Sequence, residues 1–202
     1  MKYLFLLLSL FTFVSFQANA ASTDSPYVKK AESYLQNLKT AKAEFDLIAP
    51  DETMRSGTFY LNRPGRLRFE YSGIHKDLIV ADGTLLHFYD SQIDQAQSAP
   101  IQTTLANFFL RSKMSFTKDL KVAKVEDDTE YVHITLLQKD SPDTGNITLS
   151  FGKTPFVLKG WRVSEYNGNV TRMRLKNLQE NPKLANGLFV FKDPSGRGSM
   201  NK

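Results

Sequence analysis

The sequence has 202 residues, of which 41% are hydrophobic, 23% are charged and none is cysteine. The formal net charge of +5 is modest and spread along the chain, which argues against a nucleic acid as the partner. It could still favour approach to an anionic membrane surface or an acidic partner. The lack of cysteine excludes disulfide bonds, thiol chemistry and lipid attachment at an amino-terminal cysteine.

The first twenty residues have the composition of a secretory signal peptide. After Met1 and Lys2, the apolar run YLFLLLSLFTFVSF leads to QANA, where Ala18 and Ala20 give the small-x-small pattern of a cleavage site. A retained membrane anchor is the alternative, but the run is short for the roughly 20 residues that a spanning helix needs. We therefore predict a signal peptide at 1–20 and a single domain at 21–202.

An amphipathic helix is predicted directly after this segment. In DSPYVKKAESYLQNLKTA, Ser25 is a suitable N-cap and Pro26 suits the first helical position. Apolar residues recur at helical spacing along one stripe, namely Tyr27, Ala31, Tyr34, Leu35 and Leu38. Such a stripe predicts that the helix packs on the rest of the protein.

From residue 42 the apolar period changes to two, which predicts β-strands over most of the chain. The first run of strands is AKAEFDLIA, RSGTFYLNR, RLRFEYS, KDLIVAD and TLLHFYD. The second run is DLKVAKVED, EYVHITLLQ, GNITLSFG, FVLKGWRVSEYN, NVTRMRLKNLQ and a last strand, GLFVFKDP. Asn167 and Gly168 are a strong signal for a two-residue hairpin turn.

A second helix is predicted between the two runs of strands. In SAPIQTTLANFFLRSK, at 98–113, the residues Ile101, Leu105, Phe108 and Phe109 follow helical spacing. About eleven antiparallel strands cannot remain flat, so the sheet curls or closes and the helices cover an open side or one end. The predicted fold class is mainly β with helices (α+β).

Motifs for catalysis are absent from the sequence. It contains no nucleophile elbow, phosphate-binding glycine loop or HExxH motif, and its three histidines lack metal-ligand spacing. We therefore expect no enzyme activity, no cofactor and no metal site. An esterase-like enzyme on a barrel is an alternative that lacks a nucleophile motif.

The apolar and aromatic residues are the more informative feature, since the chain has 15 Phe, 8 Tyr and 1 Trp. Strand alternation assigns one set to the inner face: Phe59, Leu61, Leu67, Phe69, Tyr71, Met173 and Leu175. Alternation does not distinguish a filled core from a ligand cavity. Arg63 ends the same stripe, just before Pro64, so its guanidinium either reaches solvent at the turn or finds backbone carbonyls at the end of a covering helix.

The stretch from 57 to 96 resembles the periplasmic outer-membrane lipoprotein carrier proteins, the LolA family. The matching motifs, in order and spacing, are Arg63-Pro64, Asp82-Gly83, Phe88-Tyr89 and Gln95-Ala96. The two helices and the closing FVFKDPSG fit this family as well, whereas Asn62 stands where the family often has lysine. The resemblance covers the whole chain after the signal peptide and is weaker after residue 115.

The resemblance implies an incomplete antiparallel β-barrel whose apolar cavity, capped by helices, holds the acyl chains of a lipoprotein. The cavity would be lined by the inner-face set and covered by a lid containing Ile101, Leu105, Phe108 and Phe109. Arg63 would latch that lid closed when the cavity is empty. It further implies a monomeric periplasmic chaperone without catalysis.

The implied partners are lipoproteins, an inner-membrane lipoprotein-releasing ABC transporter complex and an outer-membrane lipoprotein acceptor. A periplasmic regulator that senses lipid or lipoprotein on the same half-barrel is an alternative of another class. Such sensors usually carry a second domain, for which residues 21–202 leave no room.

Overall fold

The computed structural model describes residues 25–104, 106–118, 120–139 and 145–196, so the predicted signal peptide lies outside the described residues. The chain is mainly β. The strands are β1 (Thr40–Ile48), β2 (Met54–Asn62), β3 (Arg66–Tyr71), β4 (Leu78–Asp82), β5 (Leu85–Asp90), β6 (Gln95–Pro100), β7 (Leu120–Asp127), β8 (Tyr131–Gln138), β9 (Gly145–Lys153), β10 (Phe156–Glu165) and β11 (Val170–Glu180).

All eleven strands form one antiparallel sheet in the order β6-β5-β4-β3-β2-β1-β11-β10-β9-β8-β7. The first and last strands of the chain pair at its centre, and β6 and β7 are its two edges. The sheet is strongly curled, as shown by the rings of Phe59 on β2 and Trp161 on β10, whose centroids are only 5.8 Å apart. In a flat sheet these strands would be about 14 Å apart, at roughly 4.8 Å per strand. The predicted fold class, an incomplete antiparallel barrel, is therefore confirmed.

The first predicted helix is present as α1 (Pro26–Asn37), with Ser25 as its N-cap residue. Its buried side chains include Ala31 and Leu35 of the predicted stripe, so it packs on the sheet as expected. No helix in the described ranges is long and apolar enough to cross a membrane.

The second helix is shorter than predicted. It consists of a 3₁₀ turn, Ile101–Thr103, and one α-helical turn, α2 (Asn107–Leu110). The hydroxyl of Thr104 donates to the carbonyl of Ile101, and the Thr104 backbone is extended. Such local side-chain bonds compete with a continuous helix, which explains the interruption.

One predicted strand is absent, and one strand of the structure was not predicted. GLFVFKDP is not a strand, since Asn186–Phe189 is a 3₁₀ turn and Phe191 stacks on the ring of His87, on the outer face of the sheet, at 4.6 Å. Its alternating apolar residues serve side-chain packing and not a strand ladder. Strand β6 was missed because it is an almost fully exposed edge strand without apolar alternation. A hairpin joins β10 and β11 at Asn167 and Gly168 as predicted, but its loop, 166–168, is one residue longer than a two-residue turn, because the N–H of Glu165 donates to the carbonyl of Asn169 at 2.9 Å.

Close packing near the sheet centre depends on Gly57 of β2. A Cβ atom at this position would lie 2.0 Å from the carbonyl oxygen of Glu70 on β3 and 2.8 Å from the ring of Phe45 on β1. The absence of a side chain allows the Phe45 ring to lie across β2. This ring is fully buried at the base of the interior described below.

Candidate functional site

The interior is the apolar space between the inner face of the curled sheet and the two helices. The structure places every residue predicted to line a cavity on this face. Five are buried, namely Phe59, Leu61, Leu67, Met173 and Leu175, and two are partly buried and pack against them, namely Phe69 and Tyr71. Strand alternation therefore located these side chains correctly.

A continuous chain of aromatic rings crosses the interior from the sheet to α2. Phe69 lies 5.5 Å from Phe45 and 4.8 Å from Phe59, measured between ring centroids. Phe59 contacts Trp161 of β10, and Trp161 contacts Phe109 of α2 at 4.6 Å. Such pairs add roughly 0.5–1.5 kcal/mol each beyond area burial. The contact between Trp161 and Phe109 couples the sheet directly to the covering helix.

The lid is defined here as the segment 101–110 without residue 105. Ile101, Phe108 and Phe109 are buried, and Leu110 is buried beside them. The predicted lid residue Leu105 lies outside the described residues. The lid thus presents apolar side chains to the interior, while α1 covers the interior from a second direction through Leu35 and Leu38.

Arg63 lies between these two covering elements. Its Nε donates to the carbonyl of Phe109 in α2 at 2.5 Å, and its Nη1 donates to the carbonyl of Leu35 in α1. Its Nη2 is buried without a hydrogen-bond partner among the described residues. Burial lowers the pKa of Arg63 to about 10, so the guanidinium keeps its proton at neutral pH.

The whole turn from Arg63 to Gly65 joins the helix ends. The backbone N–H of Arg63 donates to the carbonyl of Lys39 just after α1, at 2.8 Å, and the N–H of Gly65 donates to the carbonyl of Leu110 at 2.9 Å. Gly65 has φ +78°, and its backbone packs against Gly83. Carbonyls at helix ends lack partners within the helix, so this turn satisfies groups that would otherwise be buried unpaired.

Two small cavities lie beside the lid in the described part of the chain. A cavity of about 10 Å³ is enclosed by residues that include Leu35, Phe59, Arg63, Phe109 and Trp161. A second apolar cavity, of about 30 Å³, lies on another side of the lid beside Phe108. By this measure one water molecule needs about 10–15 Å³, so neither cavity accommodates an acyl chain unless the lid moves. Phe109 lines the first cavity and Phe108 the second, so a small gap lies on each of two sides of α2.

A charged network braces the end of the interior near Tyr71. Asp77 is only 3% exposed and accepts hydrogen bonds from Arg55 at 2.6 Å and from the backbone and hydroxyl of Ser91. The guanidinium of Arg55 stacks on the ring of Tyr71 at 4.2 Å. Burial alone would raise the pKa of Asp77, but the hydrogen bonds from Ser91 and Arg55 lower it overall. The carboxylate is therefore ionised and ties two neighbouring turns together.

Sequence reasoning missed several interior residues, of which Trp161 is the most important. The strand β10 has a register shift between Leu158 and Gly160, so simple alternation along this strand fails. The glycine before the chain's single tryptophan was the available signal, because an isolated glycine within a strand often marks a bulge. Phe45 was missed although it follows the alternation of β1.

The comparisons with known proteins agree with this geometry. A family model described as "Outer membrane lipoprotein carrier protein LolA" matches residues 36–192. Two relatives are named outer-membrane lipoprotein carrier protein. The one from Methylococcus capsulatus is 25% identical over 88% of each chain, and the one from Legionella pneumophila (strain Corby) is 28% identical over 82% of this chain and 85% of its own.

Among solved structures, an uncharacterized conserved protein from Thermus thermophilus superposes with a TM-score of 0.51 at 12% identity. The match covers 84% of this chain and 96% of that one, and it supports the fold alone. The family match runs from the end of α1 through both halves of the sheet and the lid. The chain therefore belongs to the outer-membrane lipoprotein carrier family, LolA.

Proposed function

We propose that the protein is a periplasmic chaperone that receives lipoproteins at the inner membrane and delivers them to the outer membrane. In this proposal, the interior shields the acyl chains during transfer. Each buried CH₂ contributes about 0.8 kcal/mol, so acyl chains left in water would cost tens of kcal/mol. A carrier has to offset most of this cost and still release its cargo.

The observation that carries the proposal is the buried Arg63 bridging α1 and the lid over an apolar interior. A purely structural core would not require a charged group at this place, because an apolar side chain would cost less to bury. A hydrogen-bonded guanidinium makes the closed state favourable but limited in stability. Acyl chains that enter can therefore displace the lid.

The proposed route has two partners. An inner-membrane ABC transporter complex supplies the lipoprotein, and an outer-membrane acceptor receives it. The protein acts as a monomer without cofactor or catalysis, since transfer needs only a difference in affinity between successive binding sites.

A two-step assay tests this function. The protein is incubated with inner-membrane vesicles that contain an acylated lipoprotein and the transporter, and the soluble fraction is then mixed with outer-membrane vesicles. We expect the lipoprotein to appear in the soluble fraction with the protein and then to move to the outer-membrane vesicles. A lipoprotein that stays in the first vesicles would refute the proposal, provided that a known carrier releases it in parallel.

A further inference from the structure

The outer face of the sheet carries an open groove of about 1000 Å³, lined by strands whose Trp161 and Met173 also contribute to the interior. This outer groove runs across β8 to β11 and reaches β1, and residues such as Thr148, Ser150 and Arg162 lie along it. A strongly twisted sheet is saddle-shaped, so its outer face is concave in one direction. Gly160 lines the groove beside the register shift of β10, and a Cβ at this position would lie 2.0 Å from the carbonyl oxygen of Met173 on β11.

Three cations on the outer groove have no carboxylate partner within the described part of the chain. They are Lys159, Arg162 and Arg174. Arg162 makes only a 3.4 Å contact with the hydroxyl of Thr148. A fourth cation, Arg172, is paired only with the largely exposed Glu52 at 3.2 Å.

Three of the carboxylates on the same groove are paired with lysine. Asp46 bonds Lys176 at 2.8 Å, Asp127 bonds Lys153 at 2.7 Å and Glu126 bonds Lys124 at 2.6 Å. The fourth, Asp128, accepts two backbone N–H groups of its own turn and keeps its charge. The three cations without a carboxylate partner outnumber this one carboxylate, so the potential inside the groove is positive.

The arrangement of these cations opposes the stability of the sheet. Arg162 and Arg172 are direct register partners on β10 and β11, and like charges placed directly opposite each other are destabilising. Arg172 and Arg174 lie on the same face of β11, about 7 Å apart at two residues of strand rise. An extended peptide places its alternate side chains at the same spacing.

We propose that the outer groove binds an acidic segment of a partner protein in an extended conformation, with carboxylates on alternate residues facing Arg172, Arg174 and Arg162. Guanidinium groups form paired hydrogen bonds with carboxylates, which suits this ligand. The groove is concave, so a planar bilayer does not reach its floor, whereas an extended segment does. Because the site lies outside the interior, a partner can hold the protein while the interior is loaded or emptied.

A fluorescein-labelled peptide of about eight alternating Glu and Ser residues tests the proposal by fluorescence anisotropy. The purified protein is compared with the double variant Arg162→Gln/Arg174→Gln and with the control variant Lys29→Gln/Lys121→Gln, which removes the same charge from exposed positions on α1 and β7. We expect the first variant to weaken binding about fivefold at low salt, as expected for the loss of two exposed ion pairs. The control variant should bind the peptide as tightly as the unmodified protein does. A second peptide, with Gln in place of every Glu, should not bind to the unmodified protein.

The thermal midpoint separates a binding role from a structural one. Arg162→Gln/Arg174→Gln should melt at the same temperature or slightly higher, because like charges have been removed. The proposal is overturned if both double variants lose affinity equally, if no peptide binding occurs at millimolar concentration, or if vesicles with anionic lipid bind through these arginines and the peptide does not.

Discussion

Replacing Arg63 with leucine should shift the lid toward its open state without unfolding the sheet. Two hydrogen bonds from a charged donor contribute about 1.5–3 kcal/mol each, and the unpartnered Nη2 offsets about 1–3 kcal/mol of that. The midpoints of these ranges, about 4.5 and about 2 kcal/mol, leave about 2.5 kcal/mol in favour of the closed lid. Its loss lowers the ratio of closed to open protein by a factor on the order of a hundred.

Trp161 reports this change directly, because it is the only tryptophan in the chain and contacts Phe109 of the lid at 4.6 Å. It is only 9% exposed in the closed state. Arg63→Leu should shift its emission to longer wavelength and increase quenching by acrylamide, with no ligand added. In the transfer assay, this variant should accept a lipoprotein but deliver it poorly, because closure of the lid no longer helps to expel the acyl chains.

Arg68→Leu is the matched control, since Arg68 also donates to a backbone carbonyl, that of Leu188, but on the outer face of the sheet. Its Trp161 emission and its delivery should be unchanged. Arg63→Lys should be intermediate, because an ammonium group does not reproduce the planar fork of the guanidinium. An unshifted Trp161 spectrum together with normal delivery in Arg63→Leu would refute the latch.

Three further predictions concern stability, measured by denaturant unfolding. Phe69→Ala should lower the free energy of unfolding by less than the roughly 3–5 kcal/mol typical of a filled core, because Phe69 is only partly buried. Phe151→Ala, at a fully buried position, should cost that full amount. Equal losses in the two variants would contradict a loosely covered interior. Gly57→Ala should destabilise by at least about 2 kcal/mol, because its Cβ would lie 2.0 Å from a carbonyl of the neighbouring strand, while Gly187→Ala, with open space around it, should be nearly neutral. The ionised Asp77 stabilises the folded state above about pH 4, and this contribution is lost as the pH falls through the lowered pKa of Asp77 in the folded protein. Asp77→Asn should remove the contribution at every pH. The variant should therefore be less stable at neutral pH and equal in stability to the unmodified protein in acid.

The fold was largely predictable from the sequence because most strands alternate cleanly and have turn residues between them. Prediction failed where side chains serve a purpose other than the sheet ladder. Phe189 and Phe191 alternate like strand residues, but Phe189 lies in a 3₁₀ turn and Phe191 stacks on His87 on the outer face of the sheet. The edge strand β6 has no apolar pattern, because neither of its faces is well buried.

The site was predictable only in part. Alternation placed Phe59 and Leu61 on the inner face and located Arg63 at the end of their stripe. It did not reveal that Arg63 contacts Leu35 and Phe109, because those contacts join segments far apart in the sequence. The outer groove was equally hidden, since its cations meet only through the register of β10 and β11.

The most direct test of the central claim is the recovery of cargo from the periplasm, the compartment in which we propose that the protein acts. The full chain is expressed with a purification tag, isolated from the periplasm of cells that make an acylated lipoprotein, and examined by mass spectrometry. The account predicts that the acylated lipoprotein co-purifies and that the same protein without its acylated cysteine does not. Equal recovery of both forms would contradict the claim that the interior carries acyl chains. The claim would also be contradicted if neither form co-purified with Arg63→Leu, the variant that favours the lipid-holding state.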